Sequence, residues 1–261
     1  KKFVLKKKQT KMLAEKTSAP NTPRSSIYSR RRSRLSWTSF QNAAAYFSSR
    51  KETGVMLAKL MKYYAHNPDT VVFSIKPSAT ELAYEIAKEL ELPLDLFLIS
   101  SFQHDDMTIG AITDRSDQPL LKEQIIRGCN VPKEVIDNSL AKERIELETL
   151  KQECCPLNLP LPSSEHATLI LCTDGVQTGQ NVRNTIAILR NILGYRGKIV
   201  LVAGIVGSDA QKMFMKETEE VISILCPQVV GTVASWYEDF ELTNEEVKQI
   251  LIQARDLSKN I

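Results

Sequence analysis

Short apolar runs of strand type alternate with longer stripes of helical period along most of this chain. Thr53–Ala65 carries Val55, Leu57, Ala58, Leu60 and Met61 on one side and predicts an amphipathic helix. Val71–Ile75 predicts a first strand, Thr80–Leu90 a helix with Thr80 as its N-cap, and Leu94–Ile99 a second strand. Ile109–Ile112 predicts a third, short strand. Pro132–Gln152 reads as a long charged helix with Pro132 in its first turn, stopped before the proline-rich connector Pro156–Pro162. The continuous apolar run Thr168–Cys172 predicts a buried strand and Asp174-Gly175 the turn out of it. Val182, Ile186, Leu189 and Leu193 then mark one face of a helix. A strand at Lys198–Gly204, a helix at Ser208–Leu225, a strand at Gln228–Val233 and a helix at Thr243–Ala254 follow. Thr243 and Glu246 form a capping box for the last.

Strands that alternate with helices predict an α/β fold, a three-layer, doubly wound and mostly parallel sheet. Ligands of such sheets bind at the carboxyl ends of the strands. The loops after Ile75, Ile99 and Cys172 should therefore meet. The last of them has the form of an anion cradle. Gly179 lets backbone approach closely, and the free N–H groups and positive end of the following helix point into the loop. A loop of this form also occurs without any ligand.

Composition adds a second part to the picture. The chain has 261 residues, 43% of them hydrophobic, which suffices for a substantial core, and no apolar run has the length of a membrane span. Its formal net charge of +3 hides an asymmetry: residues 1–36 hold 12 Lys/Arg against the single acid Glu15, so this arm carries +11 and the remainder −8. The organisation expected is a basic, low-complexity arm at 1–36, irregular in structure, a connector at 37–52 and an α/β domain at 53–261. Lys6, Lys7, Lys8, Arg24, Arg30, Arg31, Arg32 and Arg34 are the candidates for contact with RNA or an acidic protein surface, and Tyr28 and Trp37 for stacking on bases. A solvated tail is the competing reading. The arm's basic, Ser-rich and acid-poor composition also resembles an organelle transit peptide, and a first residue that is Lys fits a processed or partial chain. The five cysteines form no CxxC pair and the three histidines lack ligand spacing, so no metal site is expected. The compartment expected is a reducing one, the mitochondrial matrix first among them.

Several short stretches resemble one branch of the type I phosphoribosyltransferases. These are Arg50…Gly54…Leu57-Ala58, Ala83-Tyr84-Glu85-Ile86-Ala87, Leu92-Pro93-Leu94-Asp95, Ile109-Gly110-Ala111 and Glu143-Arg144. The most specific is Trp236-Tyr237-Glu238-Asp239-Phe240, followed by Thr243-Asn244-Glu245-Glu246-Val247. The resemblance covers about residues 45–250. It implies a ribose 5-phosphate site at Asp174, Gly175, Thr178, Gly179 and Asn181, and transfer chemistry that rests on positioning and electrostatics around Mg²⁺ and pyrophosphate.

All three ligand loops depart from the family's pattern. Lys76-Pro77-Ser78-Ala79 stands where Arg-Gly-Gly would wrap the pyrophosphate; Pro77 removes an N–H, and Ser78 and Ala79 disfavour positive φ. Ser100-Ser101 stands where Arg-Lys would meet phosphates, with Asp105-Asp106 in the loop beyond. Thr173 replaces the first of two acids and Asn181 the last Thr of the phosphate loop. Losses in every loop point to a scaffold without its reaction. The function expected is a catalytically degenerate phosphoribosyltransferase-like domain with no catalytic residue and no cofactor. It would act as a structural or interaction subunit of a larger assembly, held by its arm to a partner that contains RNA, such as an organellar ribosome. Two alternatives stay open. One is an active phosphoribosyltransferase or related enzyme on a phosphoribosyl substrate, which would need Mg²⁺. The other is a non-catalytic binder of a nucleotide or sugar 5-phosphate.

Overall fold

The computed structural model describes residues 47–239 and 241–258. The arm candidates Lys6, Lys7, Lys8, Arg24, Arg30, Arg31, Arg32 and Arg34 lie outside the described residues. The first helix, α1 (Arg50–Leu60), is capped by Ser49, whose hydroxyl accepts from the Glu52 N–H at 3.1 Å. Phe47 and Arg50, which fall in the expected connector, pack into the domain. Next come β1 (Thr70–Ser74) and α2 (Thr80–Leu90). Thr80 is the first residue of α2 and not its cap. A 3₁₀ turn over Pro77–Ala79 precedes it, so its hydroxyl turns back to the Lys76 carbonyl at 3.5 Å.

The expected strand Leu94–Ile99 is two strands in two sheets. β2 (Leu94–Leu96) pairs with β1, and β3 (Ile99–His104) opens a separate antiparallel sheet with β4 (Met107–Thr113) and β5 (Ser116–Leu121). β5 was not expected. Its polar start and Pro119 hide it, and as an edge strand it tolerates the missing N–H. α3 (Glu123–Gly128) and α4 (Lys133–Cys154) follow, with Pro132 at the N-cap and not in the first turn. β6 (Thr168–Val176) runs four residues past the expected end, then α5 (Gln180–Ala187) continues into a π-helical turn, Ile188–Ile192. β7 (Lys198–Val206) and α6 (Ser208–Glu217) come next.

The helix expected over Ser208–Leu225 stops at Glu217, and Glu220–Leu225 is β8. Val221, Ile222 and Ile224 are β-branched, and the parallel edge of β7 offers them a ladder (Leu201↔Val221, Ala203↔Ser223). Gln228–Val233 is not a strand; it leads into a 3₁₀ turn at Val233–Trp236. The closing helix α7 (Asn244–Ser258) carries the expected capping box. The Thr243 N–H donates to Glu246 Oε2 at 2.8 Å and the Glu246 N–H to Thr243 Oγ1 at 3.3 Å.

The parallel sheet has the order β2-β1-β6-β7-β8. Side chains of successive residues go to opposite faces. Val71, Phe73, Leu169, Leu171, Ile199 and Leu201 pack with Val182, Ile186, Leu189 and Phe214 of α5, its π turn and α6. Val72, Ile170, Cys172, Val200 and Val202 pack with Leu57 of α1, Met61 at its C-cap, Leu82 and Ile86 of α2 and Ala254 of α7. Helices therefore cover both faces, and each fully buried Leu or Ile contributes about 2 kcal/mol. The antiparallel sheet has its own core, in which Phe102, Ile109 and Ile112 meet Leu147, Val247 and Leu251.

Asp95, fully buried in β2, joins these parts. It accepts from the N–H groups of Leu157 and Leu159 at 2.7 and 2.8 Å and from Arg115 Nη2 at 2.7 Å. The Arg115 guanidinium lies over the rings of Phe73 and Phe97, so the proline-rich connector is fixed to the parallel sheet. Among the described residues no helix is long and apolar enough to cross a membrane.

Candidate functional site

The carboxyl ends of β1 and β6 come together as a parallel sheet requires. β6 continues through the expected turn: Thr173, Gly175 and Val176 pair with Ala203, Ile205 and Val206 of β7. Asp174-Gly175 is thus strand, and the loop is Gln177-Thr178-Gly179. The ladder breaks only at Asp174. Its carbonyl accepts instead from the Tyr237 hydroxyl at 2.6 Å. That hydroxyl reaches the strand because position 204 is glycine, where a Cβ would sit 2.3 Å from the phenol oxygen.

Asp174 is 2% exposed, and its carboxylate is fully engaged inside the protein. It accepts from the Gly175 N–H at 3.0 Å and Ser78 Oγ at 3.1 Å, and faces Arg50 Nη2 at 3.5 Å and Lys76 Nζ at 3.9 Å. Arg50 is buried as deeply, 1% exposed. Its Nη1 and its backbone N–H both bond Asp239, each at 2.7 Å, and its guanidinium lies 4.5 Å from the Tyr237 ring centroid. Phe47 completes the clasp. Its ring packs on Tyr237 at 5.2 Å between centroids, its N–H donates to the Trp236 carbonyl at 2.8 Å and its carbonyl accepts from Glu238 at 3.0 Å. Burial, then the Asp174 carboxylate, pushes the Tyr237 phenol above its ordinary range, so it stays a donor. Arg50 and Trp236–Phe240 are separate stretches in the sequence. The structure makes Arg50, Tyr237 and Asp239 one buried network around Asp174.

Beside this network opens a cleft of about 180 Å³, lined by Ile75 and Lys76 from the end of β1 and by Thr173, Gly175 and Gln177–Val182 from β6 and α5. Val233 leans over Gly175, where a Cβ would come within 2.7 Å of its methyl. Gly179 has φ +76°, and a Cβ there would meet the Phe214 ring at 2.5 Å, so both backbone and packing demand glycine. The first amides of α5 have no carbonyl one turn back and face the loop. Of the five residues expected at the site, Gly175, Thr178, Gly179 and Asn181 line this cleft, joined by Lys76; Asp174 lies behind it in the ion-pair network. A Mg²⁺ held by paired acids does not fit these residues. Thr173 occupies one acid position and Asp174 already has its cations. Among the described residues, no three His, Cys, Asp or Glu side chains gather for a metal.

The loop expected after Ile99 is not one. Ser100 and Ser101 lie within β3, paired with Ile112 and Ala111. The Ser100 hydroxyl bonds Glu143 of α4, and Ser101 Oγ accepts from Asn184 Nδ2 of α5 at 2.7 Å. Asp105 and Asp106 form the tip of the β3–β4 hairpin with φ of 46° and 63°, the left-handed pair that a two-residue turn requires. Neither lines the cleft.

No protein-family model matches the chain. It is 24% identical over 204 residues to a Mycobacterium tuberculosis protein, in strains CDC 1551 and H37Rv, that carries the provisional name phosphoribosyl transferase. The match takes in 77% of this chain and 45% of each relative, so the chain spans less than half the length of the curated relatives it matches. Its architecture matches that of TT1426 from Thermus thermophilus at a TM-score of 0.64 and 21% identity, over 80% of this chain and 98% of the other. The fold is phosphoribosyltransferase-like. Within this phosphoribosyltransferase-like domain, the cleft lies at the strand ends where ligands of open parallel sheets bind.

Proposed function

We propose that this domain keeps the framework of a phosphoribosyltransferase without the transfer reaction and acts as a structural or interaction subunit of a larger assembly. The observation that carries the reading is the state of Asp174. A carboxylate meant for ribose hydroxyls must be reachable and unspent, whereas this one is buried against Arg50, Lys76 and Ser78. The loop after β1 supports the same reading. Pro77–Ala79 form one 3₁₀ turn that leads into α2, with none of the positive-φ backbone of a glycine loop. The basic charge of residues 1–36 supports a tether to RNA or an acidic protein in that assembly.

The test is to incubate the purified chain with phosphoribosyl pyrophosphate and Mg²⁺ across a panel of nitrogenous bases and follow pyrophosphate release. No release above the protein-free blank is expected. Turnover that disappears in Asp174→Asn would sink the proposal and establish the enzyme reading in its place. The tether is tested by the salt dependence of RNA binding with and without residues 1–36.

One observation favours a second reading, a binder of a sugar 5-phosphate without turnover. Gly179, the α5 amides and Lys76 still surround a cleft of about 180 Å³. That space is below the roughly 300 Å³ of small-molecule sites, and it suits one phosphate group better than a whole nucleotide. Calorimetry with ribose 5-phosphate separates the two readings, because a purely structural domain gives no heat.

A further inference from the structure

A second hollow, of about 690 Å³, lies on the other side of α5, between that helix and the β5–α3 junction. Its floor is apolar, formed by Leu120, Ile125 and Ile186, and its rim carries Lys122, Arg183 and Arg190 against one carboxylate, Glu217. Lys122 is fixed where β5 passes into α3. Its N–H donates to the Ile109 carbonyl at 2.9 Å, and its carbonyl accepts from the N–H groups of Ile125 and Ile126 at 2.9 and 3.0 Å. Its ammonium is part-buried and makes no ion pair among the described residues. The Arg183 guanidinium lines the same hollow. Desolvation, then that guanidinium, draws the Lys122 pKa down. Arg183 has one carboxylate, Glu217 at 3.1 Å, and Arg190 spends Nη1 on the Tyr195 and Gly197 carbonyls and keeps only a long contact, 3.9 Å, to Glu219. Arg190 and Asn191 stand on the π-helical turn, which is closed by the Leu193 N–H to the Ile188 carbonyl at 2.9 Å. Such turns re-aim side chains and gather at functional positions.

Cations gathered on the rim of one groove over an apolar floor repel one another when it is empty and are drawn together by an anion that enters it. We infer that this groove is a second binding site, for a small organic anion: a phosphomonoester joined to a flat, apolar body. The phosphate would sit between Lys122 and Arg183, and the body would cover Leu120, Ile125 and Ile186. The volume supports this occupant, since small-molecule sites span about 300–1,000 Å³. The groove is distinct from the cleft, although Gln180, the first residue of α5, borders both. The inference does not depend on whether the cleft binds anything.

The test uses the full chain and calorimetry with 1-naphthyl phosphate, which has the aromatic body and the phosphate but no ribose. It should bind at least ten-fold more tightly than inorganic phosphate. Lys122→Gln should weaken it about ten-fold, and Ile125→Asn by a similar factor, with the thermal midpoint of Lys122→Gln unchanged. Thr178→Glu, in the cleft, should change it less than two-fold. Equal affinity for naphthyl and inorganic phosphate would overturn the site, as would indifference to Lys122→Gln or loss of binding in Thr178→Glu. Tighter binding of a poly-glutamate peptide at the same residues would also overturn it, in favour of a protein partner.

Discussion

Replacing Arg50 by methionine tests the network that encloses Asp174. The variant keeps the apolar stem of the side chain but removes the guanidinium and with it the charge over the Tyr237 ring. Asp239 loses the Nη1 bond of 2.7 Å and keeps the backbone one; Asp174, 3% exposed at its side chain, loses Arg50 and keeps only Lys76 at 3.9 Å as a cation. Removing one partner of a buried ion pair costs about 3–5 kcal/mol because the other charge stays buried and unpaired. Here Asp239 is 22% exposed and Lys76 is near, so the lower end applies, about 3 kcal/mol. A domain of this size loses about 2–4 °C per kcal/mol, so the melting temperature should fall by roughly 6–12 °C. Urea unfolding read by tryptophan fluorescence in a Trp37→Phe background leaves Trp236, whose indole N–H bonds the Val230 carbonyl at 2.6 Å, to report the change beside the network. A double-mutant cycle with Asp239→Asn should give a coupling of at least about 1 kcal/mol. A loss below about 1 kcal/mol, or strict additivity in the cycle, would show that the clasp around Asp174 carries no stability and that its geometry has another cause.

Gly179→Ala forces a side chain into left-handed backbone and against Phe214; a loss of about 2 kcal/mol in urea unfolding is expected, and an unchanged midpoint would contradict the packing described. Thiol labelling at pH 8 should modify Cys129 and Cys155 quickly, because both are exposed. Cys154, pushed up to about 11 mainly by burial, and the wholly buried Cys172 should react only on unfolding, which peptide mapping checks. Burial raises the Asp114 carboxyl above its usual pKa, against the opposing pull of Arg115 and Lys151. The folded state then holds this proton more tightly than the unfolded chain, so the group's contribution is fullest at low pH and is lost as pH rises through the raised value. Asp114→Asn should therefore flatten the fall in stability as pH rises from about 4. A parallel offset at every pH would contradict that assignment.

The sheet was legible where one short stretch decides its own fate. Thr168–Cys172 is apolar at every position after its Thr and lies in the centre of five strands. Its end was not legible. Asp174-Gly175 has the local preference of a turn, but β7 offers Gly175 and Val176 a parallel ladder and wins. The same competition decided β8, whose Val-Ile-Ser-Ile-Leu pattern satisfies either period until an open strand edge is known. At the site, Gly179 could be read because strand, glycine and helix are consecutive. Arg50 could not. Its partners Asp174 and Asp239 stand 124 and 189 positions away, and no local pattern says that a charged residue at the start of an amphipathic helix will be buried. Asp105-Asp106 shows the converse error: two acids placed by analogy in a ligand loop serve a hairpin tip, where their tolerance of positive φ matters more than their charge.

The span of 189 positions between Arg50 and Asp239 also orders events in time. A polypeptide made from its amino end releases α1 early, when water is the only partner for the guanidinium. β1, β6, β7 and β8 are all synthesised before Tyr237 and Asp239 exist. Until these two have emerged, Arg50 can meet Asp174 but lacks the Asp239 carboxylate that takes its Nη1 and its backbone N–H. The full network around Arg50 therefore closes only after the segment that carries Tyr237 and Asp239 has emerged, long after α1 itself was made.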